Sequence, residues 1–486
     1  TSTSWPKRCS SGSSPPWQQQ SPRTPTTGQG HPWWTAECST ATKDLSKLEA
    51  ELAEAHSAGL LDLVLHEAVT QSRAQAKRTL YRARQHYYRE QADKIEGNEI
   101  FVARKWALAE RQYASPAMQD AEGRDFVTSA EKRALLRDTL LPNIDRQHPL
   151  QVLAQLPPSA ARASHAALTR TELKDAVWAA APDKAPGPDE ITGRAVRQGW
   201  SAIEEPLFAL ASAAHDVGWY PAAFRTSTLC ALKKGGKRDP ALARSYRLIA
   251  LLPVLGKALE KVAANRLAWF AETLGLVPTE QYGAMPKTSA TDAGVALVHD
   301  IHVGWARHER LTTSVLFFDV VGAFDNVTPG RMVTRLWELG LPLPLIAFIA
   351  SWLADRIAAI RLDGEVGAAE PCVTGLPQGS PLSLILFVLF LSPLWDAIPA
   401  GIRLFGFVDD GALRVQGPTV EQNCRALEQA YEEAVRWAAE NGLWFDQVKR
   451  ELIHFPPLSK TSQALLPVHL GPNDDDVVQP IQRDAA

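Results

Sequence analysis

The sequence predicts an α+β fold. Three observations carry this: a proline-free, helix-forming stretch from Thr42 to Arg111, a β-branched and aromatic run at Val315 to Val327, and a pair of apolar stretches around a tight turn at Leu404 to Val415. The first is rich in Ala, Leu, Glu, Lys, Arg and Gln, which favour long helices. The second, VLFFDVVGAFDNV, reads as a strand that delivers Asp319 at its end. In the third, LFGFVDDGALRV, Val408-Asp409-Asp410-Gly411 forms the tip of a β-hairpin.

The 486 residues allow two or three domains with ample core, and 45% apolar with 22% charged residues is a globular composition. A formal charge of -3 means that any nucleic-acid surface must come from local clustering of cations. The five cysteines are widely separated and show no CxxC or Cys/His spacing, which argues for a reducing, intracellular setting and against a zinc knuckle. The longest apolar run, about thirteen residues from Leu382 to Leu394, is too short to span a bilayer.

In chain order, residues 1–35 are rich in Ser, Thr, Pro and Gln and read as a disordered linker. Two tryptophans in HPWWTAEC, His31 to Cys38, stand next to a helix start. Residues 36–165 form a helical N-terminal extension. Within it, Arg73, Lys77, Arg78, Arg82, Arg84 and Arg89 fall in a stretch free of acidic residues and interleaved with Tyr81, Tyr87 and Tyr88. Such a helix can track phosphates through counterion release, although charge runs are also common on solvated faces.

The Pro-Gly-Pro of DKAPGPDEI, Asp183 to Ile191, is a rigid turn. LKKGGKR, Leu232 to Arg238, is a glycine loop carrying Lys233, Lys234 and Lys237, and SYRLIALL puts Arg247 before a strand-like run. Gly256 to Phe270 reads as an amphipathic helix. In QYGAMPKTSATDA, Gln281 to Ala293, Thr288, Ser289 and Thr291 are helix-cap candidates.

GLPQGSPLSLIL, Gly375 to Leu386, is a turn leading into a buried helix, with Ser380 as its expected cap and Pro381 in its first position. Gly379 permits close backbone approach to a ligand, and the Gln378 amide both donates and accepts. Asp325 is expected to cap a helix. Val420 to Asn441 reads as an amphipathic helix stopped at Asn441-Gly442, followed by a turn and strand to Phe455.

Brought together by folding, Asp319, Asp409 and Asp410 would set three carboxylates side by side. Like-charge repulsion makes that unfavourable unless divalent cations fill the gap. Two Mg²⁺ ions so held suit in-line phosphoryl displacement.

In the order FFDVVGAFDNV, LPQGSPLS, FVDD, the chain resembles the palm of a reverse transcriptase, most closely those of non-LTR (LINE-type) retrotransposons, over Lys184 to Phe455. The resemblance implies a right-hand polymerase with an antiparallel palm sheet, residues 166–312 mainly fingers and 313–456 mainly palm, followed by a polar tail at 457–486 with the thumb apparently missing. It implies RNA-directed DNA synthesis on an RNA template from a DNA primer and dNTPs, with two Mg²⁺ ions (or Mn²⁺ in their place) on Asp319 and Asp409, with Asp410 beside them.

It further implies that Phe324 excludes a 2′-hydroxyl, where RNA-dependent RNA polymerases carry aspartate. Gln378 and Gly379 would shape the nucleotide and template side. Arg247 and Lys237 would meet the triphosphate, and Lys449 the leaving pyrophosphate. The family shows Arg-Pro where this chain has Arg247-Leu248, tyrosine where it has Phe407, and asparagine where it has Asp446. An upstream endonuclease preceding the tryptophan pair, and a nuclear location with the element's ribonucleoprotein, are part of the same expectation. The competing reading is a truncated, inactive remnant that binds nucleic acid without catalysis.

Overall fold

The computed structural model describes residues 33–57, 63–93, 115–120, 122–141, 148–157, 163–235, 239–373, 375–460, 465–471, 473 and 476–481. Two compact units result, Thr1–Gln112 and Tyr113–Ala486. Residues 113–165, expected with the helical extension, therefore belong to the second unit.

The first unit is a pair of helices, Ala36–Ser57 and Leu63–Asp93. Cys38, Val69 and Ala76 are buried, and Arg73 on the second helix reaches Glu49 on the first at 2.7 Å. Trp34 donates its indole N–H to Ser39 Oγ at 2.8 Å and so anchors the first turn. Arg73, Lys77, Arg78, Arg82, Arg84 and Arg89 are all exposed. At 100° per residue, Arg73, Lys77 and Arg84 form one stripe and Arg78, Arg82 and Arg89 a second.

Among the described residues the strands all lie in the second unit: β1 (Met118–Gln119), β2 (Asp125–Phe126), β3 (Thr226–Lys233), β4 (Tyr246–Leu251), β5 (Thr312–Asp319), β6 (Ile357–Leu362), β7 (Glu365–Pro371), β8 (Arg403–Phe407), β9 (Asp410–Gly417), β10 (Glu451–Phe455), β11 (Val468–His469) and β12 (Val477–Val478). Two four-stranded sheets dominate. One is antiparallel, in the order β10-β5-β9-β8; the other runs β4-β3-β6-β7, with β3 and β6 parallel.

The antiparallel sheet is built on β5. Its alternation puts Leu316 and Phe318 on the face shared with Leu404, Leu413 and Leu452, all buried in the main core. That core also takes the helix Ser383–Leu391 and the helix Val420–Glu440. On the opposite face, Val315, Phe405 and Ala412 meet Ala296 and Leu297 of the helix Ala290–Ala306.

The expected caps were met in part. Ser289 caps its helix by accepting from the Asp292 amide, and Asn441 with Gly442 at positive φ ends the helix Val420–Glu440. Leu248, in place of the family's proline, pairs with Ala231 and is buried. Its N–H keeps β4 regular from Tyr246 onward.

Within the stretch expected as a polar tail, Val468 and Val478 enter the main core. Asp476 forms a buried ion pair with Arg450 at 3.5 Å. Ile481 donates its backbone N–H to Leu452 beside β10 at 2.8 Å.

Candidate active site

β5 ends where its register places Asp319 directly opposite Asp410, the first residue of β9, while Phe407 at the end of β8 faces Asp410 from the other side. Directly opposed residues of an antiparallel pair project to one face, with Cβ atoms about 5 Å apart. Asp409 lies in the two-residue turn between β8 and β9, and its carbonyl accepts from Val320 N–H at 3.3 Å. Two distant acidic stretches thus meet at one sheet end.

The site favours added positive charge. Burial, with the charges of Asp410 and Asp319 adding to it, holds the Asp409 carboxyl above the usual aspartate range. Burial and Asp319 do the same to Asp410. Lys449 answers part of this demand: its ammonium lies on Asp319 Oδ2 and stands 3.5 Å from Asp446. Burial opposes that ammonium, yet the hydrogen bond and charge of Asp319 keep its pKa above the ordinary lysine value.

Among the described residues no group of three or more His, Cys, Asp or Glu side chains is close enough to hold a metal ion. The three carboxylates expected together share one end of the sheet in the backbone register and influence one another electrostatically, but their side chains form no such group. Three like charges repel, and Lys449 rather than a further carboxylate is drawn to Asp319. In donor chemistry the set suits a hard divalent cation, which takes carboxylate oxygens.

Beside this sheet end runs the loop 375–380, held from several sides. Leu376 N–H donates to the Phe324 carbonyl at 2.7 Å, Ala250 N–H of β4 donates to the Gln378 carbonyl at 2.6 Å, and Arg356 Nη2 donates to the Gly375 carbonyl at 2.7 Å. Gly379 has φ +128°, and a Cβ there would lie 2.5 Å from the Ala250 carbonyl oxygen. The close approach that glycine allows is made to β4. Phe324 stacks at a tilt on Phe387 with centroids 5.1 Å apart, so the ring is steadied from below.

Two residues take positions other than those expected. Ser380 does not cap the helix, which begins at Ser383 without a side-chain cap. It turns inward, donating to Glu260 Oε2 at 2.5 Å and accepting from Leu382 N–H. Glu260 is fully buried and also accepts from Tyr220 Oη at 2.7 Å, and burial pushes its carboxyl up. A buried carboxylate needs such donors.

Nor does Asp325 act as a cap; it lies inside the helix Ala323–Asn326, whose N-cap position is Gly322. It accepts from Gln378 Nε2 at 3.1 and 3.3 Å, and burial raises its pKa to about 6. Asp325 thus fixes the amide orientation of Gln378. Glu260 and Asp325 are contributors that sequence reasoning missed or misassigned, because each is defined by a partner more than fifty residues away.

Arg247 is exposed on β4, on the face opposite buried Tyr246, Leu248 and Ala250. Lys234 Nζ donates to the Arg244 carbonyl at 2.8 Å. Lys237 lies outside the described residues.

The turn itself is strained. Val408 has φ +61°, a region usually left to glycine, and for a β-branched residue this costs on the order of 1–3 kcal/mol. Gln281 is its brace. This buried side chain accepts from Val408 N–H at 2.9 Å and donates to the Val408 carbonyl at 3.4 Å.

Residues 232–472 match the family described as reverse transcriptase (RNA-dependent DNA polymerase). A putative 115 kDa protein of the type-1 retrotransposable element R1DM from Drosophila melanogaster is 30% identical over 286 residues, covering 59% of this chain and 26% of that protein. Over residues 232–472 the chain thus resembles reverse transcriptases, and the relatives it matches are proteins of non-LTR retrotransposons.

The RNA-directed DNA polymerase of mobile element jockey from the same fly is 25% identical over 278 residues, 56% of this chain and 30% of the relative. The Pol polyprotein of a type-1 element R1 from Bradysia coprophila is 30% identical over 253 residues, 51% and 24% respectively. The chain thus spans about a quarter to a third of the length of these relatives. An apo telomerase from Candida Tropicalis aligns at TM-score 0.37 with 10% identity over 48% of this chain and 51% of its own, too weak to carry an argument. The strand with Asp319, the loop 375–380 and the hairpin with Asp409 all fall inside the matched residues. No helix among the described residues is long and apolar enough to cross a membrane.

Proposed function

We propose that this reverse-transcriptase domain synthesises DNA on an RNA template, joining the α-phosphate of a dNTP to a primer 3′-hydroxyl. The observation that carries the reading is the register of β5 on β9, which sets Asp319 against Asp410 beside the turn holding Asp409. The antiparallel sheet is then the palm, and the mixed sheet the fingers.

Reverse transcriptases use divalent metal ions, and Asp319 and Asp409, with Asp410 beside them, are the residues that would hold two Mg²⁺ ions or Mn²⁺. When bound, such a pair neutralises charge on the attacking and leaving oxygens. Phe324, steadied on Phe387, closes the space under the sugar and disfavours a 2′-hydroxyl. Gln378, oriented by Asp325, meets the incoming nucleotide and template, with Gly379 keeping the loop close to β4. Arg247, exposed on β4, offers a planar fork to the triphosphate, with Lys237 as a second cation. Lys449 holds a proton on Nζ close to Asp319 and is the group to give one to departing pyrophosphate.

The exposed stripes of Arg73, Lys77, Arg78, Arg82, Arg84 and Arg89 would bind template or primer phosphates with strong salt dependence. A nuclear location with the element's ribonucleoprotein fits such substrates. The test is extension of a DNA primer on an RNA template with dNTPs and NTPs offered separately. Extension with dNTPs alone supports the reading, and extension with NTPs alone overturns it.

A further inference from the structure

The turn carrying Asp409 does not hold its shape by its own sequence. Positive φ at the first central residue alone is the pattern of a type II′ hairpin turn, where glycine is the usual occupant. Here that residue is Val408, at φ +61°. Its peptide groups are satisfied by a segment well over a hundred residues earlier in the chain. Gln281 Oε1 accepts from Val408 N–H and from Gly283 N–H, both at 2.9 Å, while Gln281 Nε2 donates to the Val408 carbonyl at 3.4 Å. The side chain is 2% exposed, so water cannot take over these bonds.

The surrounding backbone is shaped to admit this contact. A Cβ on Gly283 would lie 2.5 Å from the Val408 nitrogen, and one on Gly406 would lie 2.8 Å from Gln281 Nε2. Tyr282 N–H donates to the Gly406 carbonyl at 2.8 Å, and Gly406 N–H to the Glu280 carbonyl at 2.9 Å, so residues 280–282 lie along β8 as a short extra strand. A carboxamide can accept from one end of the Val408 residue while donating to the other.

We propose that Gln281 is a positioning residue of the active site, clamping Val408 in its left-handed conformation so that the next residue, Asp409, is presented beside Asp319. The inference rests on the reading of Asp409 as a catalytic carboxylate. A glycine turn would be free of strain but also free to move; valine held by Gln281 gives one conformation.

The experiment compares the full chain with Gln281→Asn, which is polar but one methylene too short, with Gln281→Leu, and with Gln281→Leu/Val408→Gly. Three readouts are taken: hydrogen exchange of the 405–411 segment, primer–template affinity, and single-turnover extension across a Mg²⁺ series. The expected result is faster exchange in both single variants with primer–template affinity preserved. Extension should fall about tenfold to a hundredfold, the scale of a misplacement of about 1 Å in a catalytic group, and should need more Mg²⁺ for half-maximal rate.

Val408→Gly removes the steric cost that the clamp opposes, so the double variant should regain a large part of the lost rate. A purely structural glutamine would lower melting temperature and binding together and show no such rescue. Unchanged exchange in Gln281→Asn and Gln281→Leu overturns the clamp. Altered exchange with wild-type extension rates and Mg²⁺ dependence overturns its catalytic importance. If the unaltered chain extends nothing, the functional reading fails by itself, and exchange still decides whether Gln281 holds the turn.

Discussion

Asp325→Asn tests whether Gln378 is oriented by a carboxylate kept at an energetic cost. Burial lifts the Asp325 carboxyl from 3.8 to about 6, against the lowering influence of the Gln378 amide and, more weakly, Lys234. The native state therefore binds its proton more tightly than the unfolded chain. Stability from this group is fully present below about pH 4 and is lost as pH rises through about 6. A change of that size corresponds to about 3 kcal/mol, and because Asp325 keeps part of its surface in water, about 1–3 kcal/mol is the expected range.

Asparagine keeps the shape and an acceptor for Gln378 but carries no charge. The variant should match the parent near pH 4, gain steadily up to about pH 6, and hold a constant advantage of about 1–3 kcal/mol above it. Denaturant unfolding at several pH values measures this directly. Thermal melts should show the same trend, at roughly 1–2 °C per kcal/mol for a unit of this size. A pH-independent gain would show that ionisation is not involved. A loss at pH 7.5 would show that the charge-assisted bond to Gln378 outweighs burial.

Two further outcomes follow from the packing. Gly379→Ala, at φ +128° with its new Cβ 2.5 Å from the Ala250 carbonyl oxygen, should push the loop off β4 and raise the KM for dNTP while leaving primer–template affinity near the parent value; steady-state kinetics read both. Arg450→Met should strand the buried Asp476 carboxylate and cost about 3–5 kcal/mol in denaturant unfolding, with Arg450→Met/Asp476→Leu recovering most of it.

What the sequence revealed and what it hid divide by range. The strand ending in Asp319, the hairpin at Asp409, the buried helix after the loop and the helix stop at Asn441 were legible because each is written in a local pattern of side-chain alternation or capping. Ser380 and Asp325 were misread for the complementary reason. Their local context suits a cap, but the Ser380 hydroxyl is turned inward to donate to buried Glu260, and the Asp325 carboxylate accepts from Gln378. The parallel pairing of β3 with β6 spans more than a hundred residues and leaves no local mark. In the tail, the isolated apolar residues Val468 and Val478 are too few to show periodicity, yet they are buried by the core they join.

The pairing of Lys449 with Asp319 was also beyond reach of the sequence, since it depends on Asp446 N–H donating to the Asp319 carbonyl at 2.8 Å and so drawing the 446–449 turn to the end of β5. Its consequence is that the acidic centre already attracts a cation from within the chain.

Asp319 and Asp409 are proposed to make this sheet end a DNA-synthesising site. The most direct test is single-turnover extension of a DNA primer on an RNA template by the chain and by Asp409→Ala, in Mg²⁺ with dNTPs, with primer–template affinity measured for both. The expected result is extension by the first, its loss in the second, and equal affinity. Extension by Asp409→Ala at the parent rate would contradict it.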